Sequence, residues 1–100
     1  MESPEGFEWD AEKNRQNIEK HGIDFEDVVE VFYGLHVVWP SGRSGEKWWI
    51  AIGETQARTI AVVFTWRGDQ IRIISARRAR THEKRTYRKE TMGRSPQGQN

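Results

Sequence analysis

Two short apolar runs constrain the fold of this chain more than any other feature. Residues 48–52 and residues 60–64 are the longest apolar runs, at five residues each. Near-continuous apolar sequence of this length is typical of central strands that are covered on both faces. Each run is far shorter than a membrane-spanning helix, which needs about 20 residues. We therefore predict that both runs form central strands of one sheet.

Turn-forming residues divide the surrounding sequence into four strands. A cluster of Pro, Ser and Gly at residues 40–45 predicts one turn, and Arg-Gly-Asp at residues 67–69 predicts another. Strands joined by short turns of this kind form an antiparallel β-meander. The predicted strands cover residues 35–39, 46–53, 58–66 and 70–76.

Helix-capping residues predict the remaining elements. A short strand at residues 7–9 precedes Asp10, which can cap a helix that ends at His21 before Gly22. Asp24 can cap a second helix at residues 25–33, and Thr81 can cap a last helix that ends near residue 92. The fold class is therefore α+β, with two N-terminal helices, an antiparallel β-meander sheet and a C-terminal helix.

Length and composition indicate one domain. The chain has 100 residues, and we expect a single domain over residues 1–92 and a disordered tail at residues 93–100. It contains no Cys, which excludes disulfides, Cys-based zinc sites and a thiol nucleophile. The acidic N-terminus lacks the basic and apolar regions of a secretory signal. We therefore expect a soluble cytoplasmic protein with no membrane partner.

Charge is distributed unevenly along the chain. Residues 1–35 contain ten acidic and three basic side chains, whereas residues 72–94 contain nine basic and two acidic ones. This separation predicts a basic surface for a polyanion such as nucleic acid. The alternative is that the acidic and basic segments pair with each other on folding.

The basic segment contains a candidate phosphate site. Several arginines follow an apolar strand and precede the N-terminus of a helix, where guanidinium groups and free amides both favour an anion. Because adjacent side chains of a strand point to opposite faces, only one member of the Arg77–Arg78 pair is expected to face the site. The candidate phosphate ligands are Arg72, Arg77, Arg78, Arg80 and Lys84.

Two side chains of the last helix extend this site. Glu83 and Tyr87 are four residues apart, so they share one helix face. Tyr87 could serve the site or pack on the sheet, and Glu83 could act chemically or pair with Arg80 or Tyr87. The remaining alternative is a solvated basic helix without a site role.

Other candidate residues lie earlier in the chain. Asn14, Asn17 and His21 share a stripe of the first helix, which predicts a satisfied polar network on its inner face, with His21 either in that network or in an active site. Lys47, at the start of a strand, is either a site cation or an exposed edge lysine. Trp48 and its neighbour must face opposite sides of the sheet, and the exposed one could stack a base or anchor a partner. The three His residues lack metal-ligand spacing, so we predict no metal and no cofactor.

A series of short motifs extends from about residue 7 to residue 87. The motifs are Phe-Glu-Trp-Asp at 7–10, Lys-Asn at 13–14, residues 17–22 with Lys-His-Gly, Phe25, Gly-Glu at 45–46, Gly53, Arg-Ile-Ile-Ser-Ala-Arg-Arg-Ala at 72–79, and residues 83–87. Taken together, this series resembles the BrnT family of bacterial type II toxin–antitoxin modules. The block from Trp-Asp to Lys-His-Gly and the Ile-Ile-Ser-Ala-Arg block in combination make the resemblance specific.

The resemblance implies a fold, an activity and partners. It implies a RelE-like fold, a ribonuclease activity that arrests growth, and neutralisation by a BrnA-like ribbon-helix-helix antitoxin. Operator DNA would be bound only through the antitoxin complex. The family often has Arg after its Gly-Glu pair, where this chain has Lys47, so the charge is kept but bidentate geometry is not.

A metal-independent endoribonuclease would use these residues as follows. The 2′-hydroxyl of the RNA attacks the adjacent phosphate, which requires a base, a cationic clamp and an acid for the leaving 5′-oxygen. Glu83 or His21 would be the base, Arg77 with Arg72 or Lys47 the clamp, and Tyr87 the acid or a residue that positions the base. The alternative function is a non-catalytic module that binds nucleic acid or a protein partner.

Overall fold

The computed structural model describes residues 4–42 and 47–92. The predicted tail at 93–100 and residues 43–45 of the predicted turn at 40–45 lie outside the described residues. A 3₁₀ helix covers Val29–Tyr33. The strands and α-helices, in chain order, are β1 (Gly6–Glu8), α1 (Ala11–His21), α2 (Phe25–Val28), β2 (His36–Pro40), β3 (Trp49–Thr55), β4 (Arg58–Arg67), β5 (Gln70–Arg78) and α3 (Thr81–Met92).

The described strands form one sheet in the order β1-β5-β4-β3-β2. The α+β class is confirmed, but the prediction of an antiparallel meander is wrong for the sheet as a whole. Strands β2 to β5 are successive antiparallel neighbours, whereas β1 pairs in parallel with β5, with Phe7 opposite Ile71. A parallel pair needs a long crossover. All of the chain between β1 and β5 supplies that crossover, so the sheet is mixed.

The N-terminal helices differ from the prediction in one respect. Asp10 and Asp24 cap α1 and α2 by accepting hydrogen bonds from Glu12 N and Glu26 N, and Gly22 ends α1 with a φ of 70°. The second helix, however, changes to a 3₁₀ helix after Val28. β-Branched residues lower helix propensity, and three valines fall in this short segment.

Among the described residues, none of the helices has the length and hydropathy of a membrane-spanning helix.

The larger hydrophobic core lies between the sheet and the N-terminal helices. Phe25, Val28 and Val31 are fully buried there in one cluster with residues of β3, β4 and β5. The opposite face carries a smaller cluster around Ile52 and Ala61, which α3 covers in part. The first predicted central strand, β3, is therefore covered on both faces, whereas the second face of β4 is only partly covered. The candidate site lies on this partly open face, beside the start of α3.

Asparagine side chains attach α1 to the rest of the fold. Asn17 is buried, where its Nδ2 donates to the Ile23 carbonyl over 3.0 Å and its Oδ1 accepts from Ala76 N over 3.1 Å. Asn14 donates to Asp24 Oδ1 over 3.1 Å and accepts from a backbone amide of α2. The inner face of α1 therefore holds the satisfied polar network that its sequence predicts, and that network supports the edge of β5 beyond β1.

Gly53 marks the closest approach between β3 and the 3₁₀ helix. A Cβ atom built at this position would lie 2.7 Å from Val31 Cγ1 and 3.2 Å from His36 Cβ. We expect Gly53→Ala to lower the free energy of unfolding by about 1–3 kcal/mol, as overpacked cores do. Urea unfolding measures the change.

A second variant identifies the cause. In a Val31→Ala background, Gly53→Ala should cost less than it does alone, because the methyl group that it meets has been removed. Equal stability of Gly53→Ala and the parent chain would contradict this close packing.

Candidate active site

The end of β5 presents Arg77 on the partly open face of the sheet. Arg77 lies opposite Ala61 of β4, whereas Arg78 lies opposite Ile60, which belongs to the larger core. Neighbouring strand residues face opposite sides, so only Arg77 reaches the candidate site. The Arg78 side chain is exposed on the other side.

Arg77 is held by the carboxylate of Glu83. Its Nη1 and Nη2 each donate to one oxygen of Glu83 over 2.9 Å, which makes the pair bidentate. The Glu83 side chain is 4% exposed and the Arg77 side chain is 23% exposed. A guanidinium fixed in this way keeps one orientation before any ligand arrives.

Glu83 also starts α3. Its Oε1 accepts a hydrogen bond from Arg80 N over 2.7 Å. The prediction that Thr81 caps this helix is wrong, because Thr81 is the first helical residue and Arg80 takes the cap position. A glutamate three positions after the cap can satisfy the cap amide, as in a capping box. Glu83 therefore joins the start of the helix to the end of β5.

These contacts determine the ionisation of the pair. Hydrogen bonds from Arg77 lower the pKa of Glu83 against the opposing effect of burial, and the Arg80 amide lowers it further. The hydrogen bond to Glu83 in turn raises the pKa of Arg77. Both groups are therefore charged at neutral pH, and Glu83 is a weak proton acceptor.

Tyr87 lies one helical turn after Glu83. Its ring packs against the cluster of Ile52, Ala61 and Ala79, and its hydroxyl donates to the Leu35 carbonyl over a long 3.4 Å. Burial raises the pKa of Tyr87, and the negative charge of a nearby glutamate, Glu54, raises it further. The phenol therefore keeps its proton at neutral pH. The predicted packing role of Tyr87 agrees with this position, whereas its hydroxyl is directed to the Leu35 carbonyl beside β2, and its role in the site stays a prediction.

Lys47 and Arg72 lie at the other end of the same face. Thr65 donates to the Lys47 carbonyl over 2.7 Å, and Arg72 is the partner of Thr65 in the register of β4 and β5. Thr65 and Ala61, the partner of Arg77, are four residues apart along β4. At about 3.3 Å per residue, the two ends of the site are roughly 13 Å apart.

An acidic residue that the sequence analysis did not single out accompanies Arg72. Glu8 of β1 accepts from Arg72 Nη1 over 2.9 Å, and Arg67 Nη1 lies 3.8 Å from the same carboxylate. No local pattern could reveal this pair, because Glu8 and Arg72 are 64 residues apart and meet only through the parallel pairing of β1 and β5.

The structure does not place His21 with the Arg77–Glu83 pair. His21 lines a separate groove of about 280 Å³ between α1 and β5, together with Lys13, Lys20 and Ser75. The remaining predicted phosphate ligands, Arg80 and Lys84, are exposed at the start of α3. Within residues 4–42 and 47–92, no group of three or more His, Asp or Glu side chains is arranged to hold a metal ion.

Comparisons with known proteins identify the family. Residues 9–83 match the family model described as "Ribonuclease toxin, BrnT, of type II toxin-antitoxin system". The chain belongs to the BrnT family. Among solved structures, the BrnT chain is similar to the ribonuclease toxin BrnT of Brucella abortus, with 35% sequence identity and a TM-score of 0.65 over 76% of this chain and 97% of that one. No curated protein sequence matches the chain.

Membership of the BrnT family places the chain among the ribonuclease toxins of type II toxin–antitoxin systems, whose members act on RNA and have an antitoxin partner. The matched segment includes Lys47, Arg72, Arg77 and Glu83, and it ends before Tyr87. The family resemblance stated from the sequence is confirmed. The roles of the individual site residues stay predictions.

Replacing Glu83 by Gln tests the link between the ion pair and the fold. The lowered pKa of Glu83 means that the ionised carboxylate stabilises the fold above the unfolded pKa of about 4.3, and that this stability is lost as the pH falls through the lower folded pKa. We expect Glu83→Gln to lower the free energy of unfolding by roughly 1.5–3 kcal/mol at neutral pH, the value of a charged hydrogen bond.

The difference between Glu83→Gln and the parent chain should shrink as the pH falls from neutral through the lowered folded pKa of Glu83, where the parent's own carboxylate becomes protonated. Urea unfolding of both proteins across this pH range measures it. A stability difference that does not change with pH would show that the charge of Glu83 does not stabilise the fold.

Proposed function

We propose that this BrnT-family chain is a metal-independent endoribonuclease that cleaves RNA through the strand's own 2′-hydroxyl. One observation carries the proposal: a guanidinium, that of Arg77, is fixed by the buried carboxylate of Glu83 on the partly open face of the sheet. A fixed cation of this kind stabilises charge that develops on the phosphate in the transition state.

Arg77 retains hydrogen-bonding capacity for a phosphate. A guanidinium has five N–H donors. Two donate to Glu83, and a further one, on Nη1, donates to the Arg78 carbonyl over 3.2 Å. The remaining donors, including the Nε–H, are available to the phosphate oxygens. The neighbouring exposed cations Arg80 and Lys84 add attraction for the RNA backbone.

The contacts of Glu83 support a positioning role, and we assign the acid role to Tyr87 because its phenol keeps its proton. Both oxygens of Glu83 already accept hydrogen bonds, and its lowered pKa weakens it as a base, so we propose that it orients Arg77. Tyr87 keeps its proton at neutral pH and can donate it to the leaving 5′-oxygen. The proton of the attacking 2′-hydroxyl passes to water or to His21, the candidate base that remains. Because His21 lines a separate groove, we favour a scheme that relies mainly on charge stabilisation and proton donation.

The partner follows from the same proposal. A type II module includes an antitoxin. We propose that it is a BrnA-like ribbon-helix-helix protein, that the complex binds operator DNA through the antitoxin, and that the free toxin acts in the cytoplasm. Support comes from the sequence resemblance and from the exposed basic side chains of α3, which suit either RNA or an acidic protein segment.

Arginine variants at adjacent positions test the function. We expect Arg77→Ala to lower the rate of RNA cleavage by about 10²–10³-fold, because it removes the fixed cation. Tyr87→Phe should lower it by about 10²-fold through loss of a proton donor. Arg78→Ala is the matched control, since it removes the same charge from the opposite face and should change cleavage far less.

The readouts are an RNA gel and the growth of bacteria in which the chain is expressed without its antitoxin. We expect the parent chain and Arg78→Ala to arrest growth and produce discrete RNA fragments, and Arg77→Ala to do neither while it remains folded. Cleavage by a folded Arg77→Ala at the parent rate would remove Arg77 from the scheme. Normal growth and intact RNA with the parent chain in soluble form would favour a non-catalytic binding module.

A further inference from the structure

A second cavity lies at the end of the face away from Arg77. It has a volume of about 330 Å³, and it lies between the segment before β3 and the paired ends of β4 and β5. Its lining contains two tryptophans, of which Trp66 also packs against the larger core, together with an aliphatic residue and three cations. The residues that matter here are Lys47, Trp48, Thr65, Arg67, Arg72 and Ile74.

The cavity is positively charged. Lys47, Arg67 and Arg72 contribute three cations, and the adjacent Glu8 contributes one carboxylate, shared by the two arginines at 3.8 Å and 2.9 Å. Lys47 is exposed and lies two residues before the start of β3. An excess of cations around an open cavity attracts a phosphate of a nucleic acid strand.

Trp48 gives the cavity an aromatic wall. The adjacent Trp49 packs against the larger core, so Trp48 is directed to the opposite face, where it lines the cavity and is half-buried. An indole that is not absorbed into a core and stands among cations is suited to stack on a nucleobase, which every base permits through its π-face.

An irregularity in β5 forms the floor of the cavity. Ile73 pairs with Phe64 and Ser75 pairs with Val63, which leaves Ile74 without a partner at a register shift. A β-bulge of this kind re-aims a side chain, and bulges occur often beside active sites. Ile74 lines the cavity and gives it an apolar surface, and the same residue also lines the groove that contains His21.

We propose that this cavity is a nucleotide subsite for the RNA substrate, with Trp48 stacking on the base and Lys47 and Arg72 contacting the adjoining phosphate. The inference rests on the proposed function, because the ligand is the RNA that Arg77 acts upon. The subsite is roughly 13 Å from Arg77 along the sheet, more than the 3.4 Å of one stacked base step. It therefore receives a nucleotide further along the strand than the one at the scissile phosphate.

Binding to an RNA that cannot be cleaved tests the subsite. The probe is a short 2′-O-methyl oligoribonucleotide of mixed sequence, which keeps bases and phosphates but has no free 2′-hydroxyl. We expect Trp48→Leu, which keeps apolar bulk without an aromatic face, to weaken binding about tenfold or more. Trp48→Phe should bind close to the parent chain. Tyr33→Ala, which removes a 77% exposed aromatic ring elsewhere, should also bind like the parent.

An abasic scan shows whether a base is the group that Trp48 contacts. The same oligonucleotide is made with one abasic position, moved along the strand. In the parent chain, one position should weaken binding as much as Trp48→Leu does, and in Trp48→Leu that position should have no further effect. The same abasic scan is made with Trp48→Phe, in which that position should weaken binding as it does in the parent chain. The test therefore does not depend on the stability of Trp48→Leu alone.

Several results would overturn the subsite. One is equal RNA binding by Trp48→Leu and the parent chain, and another is additive effects of the variant and the abasic position. A third is loss of antitoxin binding in Trp48→Leu with RNA binding unchanged, which would assign the surface to the protein partner. Cleavage is measured separately with unmodified RNA. A parent chain that binds the probe with the expected coupling but cuts no RNA would contradict the proposed function and leave the subsite intact, whereas no binding at all would overturn both.

Discussion

The carboxylate of Glu83 is the group on which the arrangement of the site depends. It accepts two hydrogen bonds from Arg77 and one from the Arg80 amide, so a single side chain fixes the end of β5 and the start of α3. Tyr87 follows one turn later and packs against the cluster of Ile52, Ala61 and Ala79. Removing one member of a buried ion pair leaves the other charge without a partner. A substitution at Arg77 or Glu83 therefore affects the stability of the fold as well as the proposed chemistry.

Charge in this chain serves both folding and recognition. The alternative that acidic and basic segments pair with each other holds for Glu8, which comes from the acidic segment and contacts Arg72. The cations at the start of α3 remain exposed, which leaves them available to a polyanion. Ion pairs hold Arg77 and Arg72 in place, and a fixed cation loses less entropy on binding phosphate than a free one.

Local signals predicted the elements, and non-local pairing explains the errors. Asp10, Asp24 and Gly22 act within one helical turn, so their roles could be predicted from the sequence. The parallel placement of β1 depends on contacts more than 60 residues away along the chain. Strand β3 extends beyond its predicted end, and its turn uses Gln56 and Ala57 at φ values of 52° and 63°. Because neither residue is a glycine, the sequence does not signal the position of this turn. The Arg77–Glu83 pair likewise required the strand and helix to be placed first.

The chemistry of the RNA products tests the central claim most directly. Cleavage by the strand's own 2′-hydroxyl leaves a 2′,3′-cyclic phosphate on one fragment and a 5′-hydroxyl on the other. We expect these end groups on RNA cut by the purified chain in the presence of EDTA, with no loss of rate relative to buffer that contains magnesium. Fragments with a 3′-hydroxyl and a 5′-phosphate, or cleavage abolished by EDTA, would contradict a metal-independent reaction built around Arg77 and Glu83.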